Sequence, residues 1–236
     1  MKAAYLKAKN QFEIREVEVR EPEAGEVLVG VKACGFCGHD KILAGYAGEE
    51  WQPFGHEFAG VVEKVGHGVK NVKVGDRVVV ETSIFDPISD YARNGRPELD
   101  TKGPNYMTME HTGMGFAEKT IVPAILCVPF TDLEDREACF LEPMGVAADL
   151  ILTADIHLGQ DVLLMGCGAI GLMALQMAKA SGARNIYVAE HKANQKKIEL
   201  AKQFGATDVI LTDEMELTDY PFPRGGVDRV LVTTPP

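Results

Sequence analysis

Two hydrophobic patterns divide the chain. Up to about residue 138, short runs dense in Val and Ile are punctuated by Gly, Pro and Asp: EVLVGVKACG, FAGVVEKV, DRVVVET and EKTIVPA. Such runs predict strands. VGHGVKNVKVGDRV sets strand, turn and strand close together, so this half is expected to be a compact, mostly antiparallel β-structure. The period then changes. ACFLEPMGVAADLILT spaces its apolar residues as a helix does. DVLLMG, NIYVAEH, DVILT and VDRVLVT predict four strands. The first three are separated by the helical stretches AIGLMALQMAKASG and NQKKIELAKQFG, the second ended by Gly205. Strand-helix alternation implies a parallel sheet with right-handed crossovers. The expected domains are residues 1–145 and 146–236. The least regular stretch, roughly 84–114, holds Asp86, Pro87, Gly95, Pro97, Gly103 and Pro104 and predicts a long surface lobe. His111 and the Met-rich NYMTMEHTGMG are expected on its surface.

Composition narrows the class. With 236 residues, 46% hydrophobic and 25% charged, the chain reads as a globular protein with room for two modest cores. A net charge of -11 argues against a general nucleic-acid binder. The N-terminal MKAAYLKAKNQFEIREVEV carries no long apolar run. The expectation is therefore no signal peptide, no membrane span and a cytoplasmic location. Five cysteines do not suggest a disulfide framework.

The candidate chemistry begins at VLLMGCGAIG. Gly166, Gly168 and Gly171 form G-x-G-x-x-G, with Ala169 and Ile170 between the last two glycines. The motif follows a predicted strand and opens a predicted helix, and Glu190 ends the next strand 19 residues after Gly171. That context points to a dinucleotide on the helix N-terminus. The rival reading is a glycine turn without ligand. Glu190 can accept from a ribose 2′-hydroxyl and repels a 2′-phosphate, which favours NAD over NADP. His191 and Lys192 follow at once. They either soften that preference or form a solvated helix start.

ACGFCGHD contains a C-x-x-C, Cys34 and Cys37. It can be a redox pair, half of a structural zinc site, or a coincidence. QPFGHEFAGVV adds His56 and Glu57 in a glycine-flanked turn. A thiolate, an imidazole and a carboxylate make a workable zinc set, and a catalytic zinc needs only three protein ligands. Glu142, in FLEPMGVAAD at the junction of the two halves, is a further candidate.

Taken together, GFCGHD, GHEFAGVVEKVG, VKVGDRVVV, GFAEKTIVPA, LEPMGVAAD and LMGCGAIGLMALQMAKASGA span nearly the whole chain. In that order they resemble the zinc-dependent medium-chain dehydrogenases of the alcohol and polyol type. The resemblance implies a GroES-like β-barrel followed by a Rossmann domain, with Val146 added to the cofactor-binding residues. It aligns Cys37 and His56 with zinc ligands. Glu57 matches a glutamate that is a ligand or close to the metal. Glu142 matches a position held by cysteine in many alcohol dehydrogenases and by glutamate in sorbitol-like ones. Cys34 matches no ligand and is expected to pack as a small apolar residue. Asp40 matches the aspartate that supports the histidine ligand. His39 stands where the family often has Ser or Thr to hand the alcohol proton outward; an imidazole can relay protons too, or compete for zinc.

The family's four-cysteine lobe site corresponds here to Asp86, Ser89, Ala92 and Asp100. That is a poor zinc set, so the expectation is one catalytic zinc and no structural zinc. The resemblance implies an alcohol or polyol substrate, NAD, and homo-oligomers for full-length members. Such members continue beyond LVTTPP, so a truncated chain with an incomplete Rossmann domain is expected. A non-catalytic zinc- or NAD-binding remnant and a zinc-free reductase are the rival readings. Trp51 and Phe54, just before the GHE motif, either line a substrate pocket or pack in the core.

Overall fold

A computed structural model describes residues 1–82, 85–100 and 114–234. The chain divides into two compact units, Met1–Glu142 and Pro143–Pro236.

The first unit is built on antiparallel strands. β1 (Lys2–Lys7), β2 (Gln11–Glu16), β3 (Glu26–Gly35), β4 (Gln52–Pro53), β5 (Glu57–Val65), β6 (Arg77–Val80), β7 (Lys119–Pro123) and β8 (Cys127–Pro129) make two sheets. Their orders are β7-β3-β5-β6-β8 and β2-β1-β4. Val27, Val29, Phe58, Val62, Val78, Val122 and Leu126 fill the core of the larger sheet. The β1–β2 hairpin had no sequence forecast. Its Lys and Glu residues interrupt the apolar run that marks the other strands, and Phe12 and Ile14 lie exposed on it.

α1 (Gly38–Ile42) follows β3, and α2 (Asp90–Arg93) lies in the described part of the lobe with a 3-10 turn at Pro97–Leu99. The forecast for His111 and most of the Met-rich stretch lies outside the described residues. Its last methionine, Met114, is not on the surface: it is buried in the larger sheet's core. The chain is already returning there to the sheet, since Ala117 bridges Ala3 just before β7. Phe54 is also core, packed with Leu6, Ala44 and Phe116. Trp51 lies under the Arg15 guanidinium, 5.3 Å from the ring centroid. α3 (Asp135–Ala138) precedes α4 (Leu141–Ala154).

The second unit holds β9 (Asp161–Met165), α5 (Ala169–Ala180), β10 (Asn185–Glu190), α6 (Gln195–Phe204), β11 (Asp208–Leu211) and β12 (Arg229–Val232). The strands are parallel in the order β11-β10-β9-β12. Side chains alternate between faces as strand geometry requires. Val162, Leu164 and Val188 pack with Ala174, Leu175 and Ala178 of α5 and Ala201 of α6. Leu163, Tyr187, Ala189 and Ile210 face the other way, under Tyr220 and Phe222 from the connection between β11 and β12. The winding therefore reverses between β9 and β12, the switch point where ligands bind in such sheets. Gly205 ends α6 at φ +104°, a left-handed cap that glycine adopts at no steric cost. Among the described residues no helix is long and apolar enough to cross a membrane.

Candidate functional site

The antiparallel pairing of β3 with β5 brings distant residues together. Gly35 stands opposite Glu57, and Cys34 opposite Phe58. Cys37 lies two residues past the end of β3, and His56 immediately before β5. The ligand atoms of Cys37, His56 and Glu57 consequently lie within 4.8 Å of one another. Glycine at 35 leaves room for that carboxylate, since a Cβ there would meet Oε2 of Glu57 and displace it.

α1 fixes the thiol. Cys37 is its N-cap: Sγ accepts from the His39 N–H at 3.4 Å, and Asp40 Oδ2 accepts from the Cys37 N–H at 3.0 Å. Asp40 is buried and presents Oδ1 at 3.7 Å from His56 Nδ1. It thus ties the cap to the imidazole. His56 is buried, whereas His39 is exposed with its ring 6.2 Å from that of His56. Glu142 is outside the three-residue cluster. It accepts from Thr82 Oγ1 at 3.3 Å and interacts electrostatically with His56 and Glu57. Thr82 carries no motif signal, so only the fold reveals it.

The electrostatics are those of an acid-rich pocket. Burial pushes the Cys37 thiol up to about 11. Burial also raises Asp40 and Glu142, against the pull of His56. Neighbouring Glu57 raises both Cys37 and Glu142 further. Several acids crowd one imidazole, and a divalent cation would reverse these shifts together. The donor set suits zinc, whose tetrahedral ligands stand about 3.5 Å apart. Cys34 is different. It packs against the barrel core, its Sγ donates to the Gly35 carbonyl at 3.3 Å, and it is not in the cluster.

The lobe positions behave otherwise. Asp100 Oδ2 accepts from the Asp86 N–H at 2.7 Å, Asp86 Oδ1 from the Ile88 N–H at 3.0 Å, and Ser89 Oγ from the Ala92 N–H at 3.2 Å. These side chains close the loop and cap α2.

In the second unit the glycine loop joins β9 to α5. Gly166 has φ +93°, a conformation that favours glycine, and a Cβ at Gly171 would strike the Gly166 carbonyl oxygen. Nothing lies within 4 Å of a Cβ built at Gly168. That open face, next to Ala169 at the start of the 12-residue α5, fits a pyrophosphate. Val146 and Ile170 line an adjoining cleft of about 430 Å³ with Asp149, Val232, Thr233 and Thr234. Thr233 Oγ1 lies 2.8 Å from the Gly166 carbonyl and 3.1 Å from that of Met165, bracing the turn. Its place at the end of the switch-point strand is the sequence signal that could have found it.

Glu190 is buried and accepts from the Cys167 N–H (3.0 Å), the Cys167 thiol (3.1 Å), the His191 N–H (2.8 Å) and Asn194 Nδ2 (2.8 Å). Burial opposes ionisation, but these donors win and hold the carboxyl down at about 2.

Residues 23–132 match the alcohol dehydrogenase GroES-like domain, and residues 169–235 the zinc-binding dehydrogenase domain. The chain is 33% identical to (R,R)-butanediol dehydrogenase of Bacillus subtilis, over 99% of its own length and 70% of the relative's. It is 36% identical to L-threonine 3-dehydrogenase of Pyrococcus horikoshii, over 97% and 68%. Against another curated relative, L-threonine 3-dehydrogenase of Xanthomonas oryzae, it spans 61% of that protein. A crystal structure from E. coli CFT073, described as a short chain alcohol dehydrogenase complexed with NADH, superposes with a TM-score of 0.89 at 30% identity, covering 99% of this chain and 69% of that one. A zinc-binding dehydrogenase from Sinorhizobium meliloti bound to NADP superposes at 0.86 with 28% identity, covering 98% and 69%. The fold, the two matched domains and these relatives agree: the chain belongs to the zinc-dependent medium-chain dehydrogenase/reductase family.

Proposed function

We propose that the chain carries the zinc and nucleotide sites of an NAD-dependent dehydrogenase acting on a secondary alcohol or polyol, with one catalytic zinc and no structural zinc. The observation that carries this reading is the convergence of Cys37, His56 and Glu57 beside Glu142. Zinc at such a donor set supplies Lewis acidity toward an alcohol oxygen, and a nicotinamide cofactor accepts hydride. Cys37, His56 and Glu57 hold the metal. Asp40 orients His56 through its Nδ1 side, and the α1 cap holds Cys37. Glu142 completes the negative environment. His39, exposed beside this cluster, takes the hydroxyl proton toward solvent. Gly166, Gly168, Ala169, Ile170 and Gly171 receive the pyrophosphate, Val146 borders the adjoining cleft, and Glu190 meets the adenosine ribose. The diol substrate named for the Bacillus subtilis relative supports a small vicinal alcohol as the first substrate to try.

The test is metal content joined to turnover. The purified protein is expected to hold about one zinc per chain and to reduce NAD with a secondary diol. Cys37→Ser should lose both. Zinc-free protein, or NAD reduction surviving Cys37→Ser, would overturn the assignment. A second zinc would overturn the reading of the lobe.

A further inference from the structure

Parallel strands β10 and β11 end at the same level, with Glu190 beside Leu211 in register. The loops that follow them therefore meet. After Glu190 come two basic side chains, His191 and Lys192; after Leu211 and Thr212 come two acids, Asp213 and Glu214. The two loops meet through these side chains, and His191 Nδ1 also accepts from the Ala193 N–H at 3.4 Å. Lys192 Nζ pairs with Glu214, and His191 Nδ1 stands 3.7 Å from Asp213 Oδ2. Asp213 Oδ1 also accepts from the Lys192 N–H at 2.9 Å, which fixes the two loops together. Lys196 and Lys197 follow on α6.

We propose that Asp213 and Glu214 are specificity-determining residues of the nucleotide site, which make it select NAD over NADP by holding Lys192, Asp213 through its backbone N–H and Glu214 through its ammonium. The inference rests on the reading of the glycine loop and Glu190 as the adenosine site. A 2′-phosphate replaces a hydroxyl that Glu190 would accept and brings up to two negative charges to the end of β10. Glu190 cannot take a proton cheaply to receive it, because four donors hold it ionised. Lys192 is the cation nearest in sequence that could compensate, and acids of the adjacent loop engage both its ammonium and its backbone N–H. Asp213 and Glu214 act through Lys192. Neither acid belongs to the glycine motif, so a motif search overlooks them.

The experiment measures NAD and NADP affinities by calorimetry, in the wild-type chain and in Asp213→Asn/Glu214→Gln. Asparagine keeps an acceptor for the Lys192 N–H, and Glu214→Gln alone serves as a milder variant if the pair does not fold. The ratio of the two affinities is expected to shift about tenfold toward NADP. Adding Lys192→Ala should return most of that shift, leaving Lys196 and Lys197 unchanged. Wild-type protein that binds NAD while the ratio stays fixed in both variants would overturn the inference and leave the nucleotide site standing. Wild-type protein that binds neither nucleotide would overturn the site and the inference together.

Discussion

Glu142 is half-buried and Glu190 buried, yet their chemistry runs in opposite directions. Glu142 has one side-chain hydroxyl donor, from Thr82, and burial raises its pKa. Glu190 has four donors and is held at about 2. Depth alone does not set the charge of a carboxylate; the count of aimed donors does. The first unit leaves Glu142 with few donors, beside Glu57 and His56, as befits a place for a cation. The second satisfies its acid in advance, which leaves a fixed negative charge.

Substitutions sharpen that contrast. The largest effect is expected at Cys37: Cys37→Ser should drop zinc content from about one per chain to near zero. Next comes Asp40→Asn, which keeps the cap but weakens the support of His56. Zinc affinity should fall about 10–100-fold by competition with a chelator. If affinity is unchanged, the buried acid serves only the α1 cap.

The pH response distinguishes the two carboxylates directly. A depressed pKa stabilises the fold above the unfolded value, near 4.3, and that stability is lost as pH falls toward about 2. Glu190→Gln should cost about 2–3 kcal/mol at neutral pH and flatten the acid limb of a denaturation profile. In metal-free protein Glu142 has the reverse sign. Its raised pKa costs stability at neutral pH, and that cost is relieved as pH falls through the folded value. Glu142→Gln should therefore be neutral or stabilising without metal. A destabilised Glu142→Gln apoprotein would break the comparison. Gly171→Ala, pressed against a backbone carbonyl, should cost about 1–3 kcal/mol in chemical denaturation.

The sequence disclosed these regions unevenly. The four parallel strands and their two helices stand where periodicity put them, because each carries an unbroken apolar face. The β1–β2 hairpin was hidden, since a strand with one solvated face and many charges resembles a loop. Cys37, His56 and Glu57 were legible as a donor set, but their meeting depends on strand register, which no spacing rule supplies. Thr82 and Asp213 lay beyond reach. Each acts on a partner far along the chain, through a contact made only when the strands are paired.

The β3–β5 register has a consequence for how such chains can change length. Eighteen residues separate Cys37 from His56, and the tip of that excursion is exposed at Tyr46, Glu49 and Glu50. Insertions at the tip leave the pairing of Gly35 with Glu57 intact. A one-residue slip at the start of β5 would turn Phe58 toward the Cys37–His56 cluster and Glu57 toward the core, whereas the far end of the pairing already carries an irregularity at Leu28 and Val29. Length variation should therefore be common in the first place and lethal in the second.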